Sequence, residues 1–325
     1  MSAAKPVAIL VSRAAAGGRL DRFIAGSLDV SRSEVQRWID DGRVTVAGAP
    51  RGASSTVREG EQVCVAPAPP EATAAEPDAD VRFDVLHVDD AIVVVVKPPG
   101  LVVHPARGHE RGTLVNGLLA RGFFARDVLD DGGGEGEGRA RSYLRPGIVH
   151  RLDKGTSGVM VVARNAQARE FLKAQFQAHS IQRAYEAIVV GVAESQTFST
   201  MHGRHPRDRL RFTSRVSQGK RAVTRVRVLA GLRGATHVEC TLETGRTHQI
   251  RMHLAESGTP VLGDPLYGRS PSAPELRDLA DRLGHQALHA RLLGLIHPTS
   301  REFVRFEAPP PADFAEALAA LFNRQ

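Results

Sequence analysis

Residues 145–164 read RPGIVHRLDKGTSGVMVVAR, and this stretch joins a polar turn to a buried strand. Its first half contains the polar island His150-Arg151-Leu152-Asp153-Lys154, and residues 158–163 form an apolar run typical of a core strand. Placing an acid, two cations and an imidazole directly before a core strand costs free energy, which a functional site would justify. Local pairing of Asp153 with Lys154 or Arg151 in a solvated turn is the simpler explanation, and the pattern alone favours it.

Strand patterns continue on both sides of this stretch and outnumber helical ones. A β-branched run covers residues 91–96 and is followed by the turn sequence Lys97-Pro98-Pro99-Gly100. Further strands are predicted at 184–192, 222–229 and 237–242, and helices at 113–121, 166–177, 246–256 and 274–283. Because the order shows no βαβ periodicity, the sequence predicts an α+β domain with a mixed or antiparallel sheet.

The first 65 residues carry a different pattern, two short helices followed by a strand. Apolar residues recur at helical spacing twice, at Leu20, Phe23, Ile24 and Leu28 and then at Val35, Trp38 and Ile39. Ser31 is a candidate N-cap for the second helix, and Asp41-Gly42 turns the chain into an alternating strand at 43–48. A small α/β domain is therefore expected ahead of the larger one.

Composition changes sharply at residues 66–80, APAPPEATAAEPDAD, which are rich in Pro, Ala and acids and lack apolar periodicity. Such a segment is typical of a semi-extended linker. We therefore expect a first domain at 1–65, a linker at 66–83 and a second domain at 84–325. A Gly-rich stretch at 130–141 is expected to be a surface loop, because it lacks the GxxxxGK[ST] pattern of a phosphate-binding loop and no strand leads into it.

Charge and cysteine content restrict the class of protein. The 325 residues include 43 Lys and Arg against 36 Asp and Glu, a net charge of +7 that suits a polyanion such as RNA. The two cysteines are isolated, which argues against structural zinc and fits a reducing cytosol. His248 and His253 do not have the HExxH spacing, so no metal site is expected. With no long apolar segment and no convincing leader, we expect a cytoplasmic protein that is not bound to a membrane.

Six motifs resemble those of the RluA-type pseudouridine synthases in the expected order. HRLDKGTSGVMVVAR at 150–164 resembles the family's catalytic motif, in which the Asp after Arg-Leu is essential, and Asp153 holds that position. The other matches are VKPPGLVVHP at 96–105, RAYEA at 183–187, LETGRTHQIR at 242–251, GDPLYG at 263–268 and QALHA at 286–290. The Gly-Thr-Ser at 155–157, where relatives often have Asp-Thr-Ser, departs from the pattern without touching a proposed catalytic group.

The N-terminal part separately resembles an S4 RNA-binding domain. The resemblance rests on Arg19-Leu20-Asp21, Ser31-Arg32-Ser33, Ile39, Gly42 and Val44-Thr45-Val46, although Ala47 stands where that pattern often has Asn. An S4 domain before an RluA-type domain points to the ribosomal subfamily. The resemblance therefore implies 23S ribosomal RNA or the large ribosomal subunit as partner, helix 69 as the target and no cofactor. Transfer RNA remains open as a substrate, and a monomer is the default expectation.

The resemblance also implies roles for individual residues. Asp153 would act on the ribose, either by attacking C1′ or by removing the 2′ proton, and Arg246 would pair with its carboxylate. Tyr185 would stack on the flipped uracil and help to remove the C5 proton. Arg151 would fill the gap left in the RNA or contact the extruded nucleotide, and further candidate contacts in the same motif are His150 and Lys154.

A basic run at 202–227 contains nine Lys and Arg and one acid, Asp208. A run of charge is usually a solvated face, but its Gly and Pro residues indicate projecting loops, and Phe212 offers a ring for base stacking. By resemblance this region grips RNA, with phosphate contacts from Arg204, Arg207, Arg209, Arg211, Lys220 and Arg221. Arg32 and Arg37, on the second helix of the S4-like domain, are candidates for a second contact surface.

Two other functions remain open on the sequence alone. One is an S4-containing RNA-binding or ribosome assembly protein without catalytic activity. The other is a glycoside hydrolase with an Asp nucleophile, a chemistry that normally requires a second carboxylate as acid, for which Glu186 and Glu243 are candidates.

Overall fold

The computed structural model describes residues 6–28, 30, 32–67, 75–105, 109, 111–125, 128 and 145–322. These residues fall into two compact units, with residues up to Ala75 in the first and almost all described residues from Glu76 onward in the second. The candidate N-cap Ser31 and the Gly-rich stretch at 130–141 lie outside the described residues. None of the described helices is long and apolar enough to cross a membrane.

The first unit consists of a three-stranded antiparallel sheet and two helices. Its elements are β1 (Val7–Leu10), α1 (Leu20–Leu28), α2 (Arg32–Asp40), β2 (Val44–Val46) and β3 (Gln62–Val65), with β3 in the middle of the sheet. Leu20 and Ile24 of α1 and Val35 and Trp38 of α2 are buried with the strand valines in one apolar cluster. Both helices predicted from the apolar spacing are confirmed, as is the turn, where Gly42 has a φ of 70°.

The second unit contains ten strands and five helices among the described residues. They are β4 (Asp84–Val88), β5 (Ile92–Lys97), α3 (Leu114–Ala120), β6 (Ser157–Ala163), α4 (Ala166–Gln177), β7 (Gln182–Val190), β8 (Gln196–Arg204), β9 (Phe212–Thr213), β10 (Lys220–Leu232), β11 (Ala235–Leu242), α5 (Gln249–Glu256), α6 (Pro274–Leu283), β12 (Leu288–Ile296), β13 (Phe303–Glu307) and α7 (Ala312–Leu321).

These ten strands form one mixed sheet. Nine follow the order β4-β5-β6-β12-β7-β11-β10-β8-β9, and β13 pairs with β12. All pairings are antiparallel except that of β6 with β12. The prediction of an α+β domain with a mixed or antiparallel sheet is therefore confirmed. The arrangement places β12 between β6, which follows the polar turn, and β7, which carries Tyr185.

Gly158 explains how β6 and β12 approach so closely. Its φ is 121°, and a Cβ at this position would lie 2.2 Å from the carbonyl oxygen of Ala290 on β12. Such a contact is impossible without separating the strands, so only glycine fits here. The polar turn at 150–154 is consequently held against the centre of the sheet.

The second unit begins within the expected linker. Val81 and Phe83 are buried in an apolar cluster of this unit. The carbonyl of Glu76 accepts a hydrogen bond of 2.7 Å from Nδ2 of Asn116, whose Oδ1 accepts from the backbone of Thr113 at the start of α3. Residues 76–83 therefore pack on the second unit.

Candidate active site

A cavity of about 240 Å³ opens in the second unit beside the polar turn. It is lined by residues 149–153 and 156 of the turn, Phe176 and His179, Arg183 and Tyr185 of β7, residues 242, 245–246 and 248–251 before and within α5, and Leu288. Asp153, Tyr185, Arg246, Arg151 and His150, all singled out in the sequence, therefore share one cavity. Among its described lining residues, Asp153 is the sole carboxylate.

Asp153 presents its carboxylate to the cavity from a closed turn. The N–H of Thr156 donates to the Asp153 carbonyl at 3.0 Å, and the Asp153 side chain is 16% exposed. Oδ2 accepts a hydrogen bond of 2.8 Å from Nη1 of Arg251. Such a charge-assisted bond fixes the orientation of the carboxylate.

Arg251 is held in turn by a second, more deeply buried carboxylate. Its Nε and Nη2 donate to the two oxygens of Asp264 at 2.7 and 2.8 Å. The Asp264 side chain is fully buried, and Oδ1 also accepts the N–H groups of Leu266 and Tyr267. Burial alone would raise the pKa of Asp264, but the guanidinium and these N–H groups lower it overall. Asp153, Arg251 and Asp264 thus form a carboxylate–guanidinium–carboxylate network.

The expectation that Arg246 pairs with Asp153 is wrong. Arg246 lies in the turn before α5, where its Nε donates to the carbonyl of Arg221 at 3.2 Å, and the described residues show no ion pair between it and Asp153. Arg251 lies within α5, and its position on the helix directs the side chain toward both carboxylates. Arg246 still lines the cavity and remains a candidate for contact with the substrate.

Tyr185 forms another wall of the cavity. It lies on β7 opposite Cys240 of β11 and Ala290 of β12, and its side chain is half-buried. Burial raises the pKa of the phenol, an effect that the nearby Arg183 guanidinium opposes. The phenol ring of Tyr185 thus shares the cavity with the carboxylate of Asp153.

Lys97 supports the turn through hydrogen bonds to backbone carbonyls. It is fully buried, and its Nζ donates to the carbonyls of Pro98, Leu101 and Lys154 at 2.8, 2.9 and 3.0 Å. Burial lowers the pKa of Lys97 to about 7, while the charge of Asp153 acts to raise it. Because Lys154 follows Asp153 directly, this cation fixes the backbone that carries the carboxylate.

His248 and Tyr267 connect the carboxylate to the start of the basic run. His248 adopts a left-handed conformation (φ 58°) before α5, and its Nε2 lies 3.8 Å from Oδ1 of Asp153. Its Nδ1 lies 3.2 Å from the hydroxyl of Tyr267, which accepts the N–H of Phe212 at 2.7 Å. Burial lowers the pKa of His248, while the nearby charge of Asp153 acts to raise it.

The remaining motif residues have distinct surroundings. His150 stacks on Phe176, and its Nε2 accepts the N–H of Val161 at 3.1 Å. Burial lowers its pKa to about 3, so His150 is a neutral acceptor that supports the turn. Arg151 is exposed at the mouth of the cavity, whereas Lys154 is exposed but does not line it.

Most of the proposed phosphate contacts lie on the surface. Arg204, Arg207, Arg209, Lys220 and Arg221 are exposed, and Arg211 is half-buried. The guanidinium of Arg204 lies over the ring of Phe212, 4.8 Å from its centroid. In the first unit, Arg32 donates to Asp21 at 2.7 Å, and the Arg37 side chain lies outside the described part of the structure.

Two groups of histidines have surroundings that bear on metal binding. Both ring nitrogens of His253 lie 2.9 Å from threonine hydroxyls, those of Thr224 and Thr200, which accounts for its buried position.

A separate cluster joins Nε2 of His87 and Nε2 of His297 to one oxygen of Asp89 at 2.7 and 2.9 Å. Nδ1 of His297 accepts two backbone N–H groups, so its proton is on Nε2. A metal-binding histidine instead donates through its second nitrogen, and the cluster is better explained by hydrogen bonding.

Comparison with protein families shows the family to which the chain belongs. The family model described as RNA pseudouridylate synthase matches residues 91–256, which include the polar turn, Tyr185 and Arg251. The chain belongs to this family. It is accordingly an RNA pseudouridine synthase, an isomerase, and the S4 domain model matches residues 18–63 of its first unit.

Individual relatives support the same assignment of this synthase. It is 42% identical over 311 residues to the ribosomal large subunit pseudouridine synthase D of Neisseria meningitidis serogroup B, covering 94% of this chain and 79% of the relative. It is 43% identical over 308 residues to the uncharacterized RNA pseudouridine synthase YlyB of Bacillus subtilis, covering 93% and 94%. The solved structure of human RNA pseudouridylate synthase domain containing 4 superposes with a TM-score of 0.54 at 26% identity, covering 73% of this chain and 92% of that one.

Several residues of the synthase's site were not identified from the sequence. Arg251 and Asp264 both lie in quoted motifs, but two arginines in LETGRTHQIR compete for one role, and the string does not show which side chain faces Asp153. Lys97 lies in the VKPPGLVVHP motif and its turn, and neither pattern indicates a role for its side chain. A lysine that follows a run of buried β-branched residues is the signal that could have marked it, because such a position requires a charge partner or several carbonyls.

Proposed function

We propose that the chain converts uridines of large-subunit ribosomal RNA into pseudouridine in the cavity around Asp153. The observation that carries the proposal is the network in which Arg251 bridges Asp153 and the buried Asp264, beside the ring of Tyr185. The relatives named for the large ribosomal subunit and the S4 domain match support ribosomal RNA as the substrate. Helix 69 is the target that the sequence resemblance suggests.

The reaction breaks the N1–C1′ bond of uridine, turns the base and rejoins it through C5. Either route at the ribose, attack on C1′ or removal of the 2′ proton, requires an ionised Asp153. Arg251 holds this carboxylate in place without competing for the substrate, because two of the three guanidinium nitrogens are held by Asp264. The target uridine must leave its stack, which costs a few kcal/mol and favours loops and bulges of structured RNA.

The other lining residues fit roles around the flipped nucleotide. Tyr185 offers its ring for stacking on uracil and its oxygen for helping to remove the C5 proton. Arg246 and Arg151 lie at the cavity and can contact the ribose–phosphate of the target or fill the space it leaves. Lys154 faces solvent next to the turn and is proposed to contact a neighbouring phosphate.

RNA affinity is proposed to come from two surfaces. On the second unit, exposed cations of the basic run contact phosphates, and Phe212 provides a stacking ring. On the S4 domain, Arg32 and Arg37 of α2 provide the second surface. Each phosphate contact that is lost should weaken binding by an amount that shrinks as salt increases.

We further propose a two-domain division near residues 66–83, action as a monomer in the cytoplasm, and no cofactor. Size-exclusion chromatography with light scattering tests the monomer. Deleting residues 1–75 tests the division: the remaining chain should stay folded while its RNA binding weakens.

A glycoside hydrolase is disfavoured by the surroundings of the two candidate acids. Glu186 pairs with Arg291 and His237, Glu243 pairs with Arg221, and neither lines the cavity described here. Asp153 would therefore lack the second carboxylate that this chemistry requires.

Tritium release from 23S RNA labelled at uridine C5 tests the proposed function. The wild-type chain should release tritium, because C5 exchanges its hydrogen for the bond to C1′. An Asp153→Asn variant should release none while binding the RNA equally well. Binding without release by the wild type would instead support an RNA-binding assembly protein. Pseudouridine mapping in a deletion strain would then identify the target and distinguish ribosomal from transfer RNA.

A further inference from the structure

Arg183 is a buried cation that the roles above do not use. It lies on β7, is only 9% exposed and lines the cavity. Its Nη2 donates to the carbonyl of Glu243 at 3.0 Å. Its Nε is one of two buried side-chain polar atoms among the described residues that have no hydrogen-bond partner.

The charge of Arg183 is met by an aromatic ring, since its guanidinium carbon lies 5.8 Å from the centroid of Phe176. Arg251, the other buried arginine of the cavity, has carboxylates on two sides, whereas the described ion pairs include none for Arg183. Burial lowers the pKa of Arg183 and the nearby Arg246 lowers it further, while Tyr185 acts to raise it. A buried guanidinium without an anion is costly and indicates that an anion is supplied by something else.

The position of Arg183 restricts where that anion must be. Residues 183 and 185 are two apart on β7, so both side chains lie on the same face of the strand. The guanidinium therefore lies beside the ring on which the proposed function stacks the uracil. A base lying on Tyr185 would therefore have its edge beside this guanidinium.

We propose that Arg183 is a further catalytic residue, which donates to the uracil ring and stabilises its negative charge when the glycosidic bond breaks. This proposal rests on the proposed function. The electron pair of the N1–C1′ bond moves to N1 and is delocalised over the ring and its carbonyl oxygens. C1′ meanwhile bonds to an oxygen of Asp153 or, after Asp153 takes the 2′ proton, becomes doubly bonded to C2′.

The second half of the reaction consumes this charge. C5 of the turned base uses an electron pair of the ring to bond C1′, the bond to Asp153 breaks or the 2′ proton returns, the C5 proton leaves and N1 takes up a proton. No oxidant or reductant is needed. Arg183 is thus required most when the base is detached, because only then does the ring carry a full negative charge.

Paired substrates distinguish this role from a general loss of binding. Arg183→Met and Arg183→Lys would be compared with wild type on an RNA hairpin that carries uridine or 5-fluorouridine at the target position. Fluorine withdraws electrons and makes the base a better leaving group. The single-turnover rate of glycosidic cleavage on the uridine RNA should fall about 10²–10³-fold in Arg183→Met. The loss should be smaller on the 5-fluorouridine RNA and smaller in Arg183→Lys, while the Kd for RNA stays unchanged.

Two results would overturn the proposal. Equal rate losses on both substrates would mean that Arg183 does not act on the leaving group. A raised Kd with a reduced salt dependence would instead assign the guanidinium to a backbone phosphate. If Arg183→Met fails to fold, the comparison of Arg183→Lys on the two substrates decides between the same outcomes.

Matched variants separate the proposal from the function on which it rests. Arg282→Met removes an exposed guanidinium of α6, 63% exposed and paired with Asp278, and should leave both rates unchanged. Asp153→Asn should abolish cleavage on both substrates. If Asp153→Asn is as active as wild type, the proposed function fails; if only the Arg183 predictions fail, the proposed function stands.

Discussion

Removing Arg251 should lower both stability and activity, and the two effects can be separated. Arg251→Met leaves the fully buried carboxylate of Asp264 without its cation, although the N–H groups of Leu266 and Tyr267 still donate to it. Breaking a buried pair by removing one partner costs about 3–5 kcal/mol. The free energy of unfolding, measured in urea, should fall by that amount. Pseudouridine formation should be lost as well, because Asp153 loses its only hydrogen-bonded cation among the described residues.

The double variant Arg251→Met with Asp264→Asn is the decisive comparison. An amide at 264 keeps an oxygen for the two backbone N–H groups but carries no charge, so the buried charge is removed along with its partner. The double variant should be more stable than the sum of the two single effects predicts, by about 0.5–3 kcal/mol. Its activity should stay absent. Additive stabilities would show that Arg251 and Asp264 are not coupled, and a wild-type rate in either Arg251 variant would refute the role of this arginine.

Further predictions follow from individual contacts. Asp153→Asn should keep the Kd for 23S RNA within experimental error in a filter-binding assay, and a loss of binding would contradict a purely chemical role. Lys97→Met should lower the free energy of thermal unfolding by about 1–3 kcal/mol, because three carbonyls lose their shared donor. It should also slow catalysis by loosening the turn. An unchanged Tm would contradict this prediction. The pKa of His150 is lowered to about 3, so below pH 6.5 the unfolded chain binds a proton that the folded chain does not. Stability should therefore fall from pH 6.5 toward pH 3, and less steeply in His150→Gln than in the control His109→Gln, which changes an exposed ring.

Much of the fold was predictable because the elements around the site carry strong local patterns. The continuous apolar runs that became β5 and β6 are buried on both faces, and α4 and α6 begin and end as their apolar spacing predicts. Strand β8 was missed because it alternates polar and half-buried residues without an apolar run. Strand β12 was not predicted as a strand, although its QALHA segment was recognised, because Arg291 and Gly294 interrupt its apolar run.

The site was predictable to the level of its motifs but not to the level of its pairings. Asp153 and Tyr185 were located by resemblance, and both line one cavity. Whether Arg246 or Arg251 contacts Asp153 depends on the direction of the side chains at the start of α5. His248 adopts a left-handed backbone conformation there, which no local sequence pattern predicts. The backbone conformation at this one residue thus affects which guanidinium contacts the carboxylate.

The contacts of Arg251 also bear on how the enzyme folds during translation. Its two partners lie 98 residues upstream and 13 residues downstream. The turn that carries Asp153 is thus synthesised well before α5 and Asp264, which complete its network. Fragments that end before residue 264 should therefore be inactive. Adding the missing C-terminal fragment in trans tests whether the two fragments can associate and restore activity.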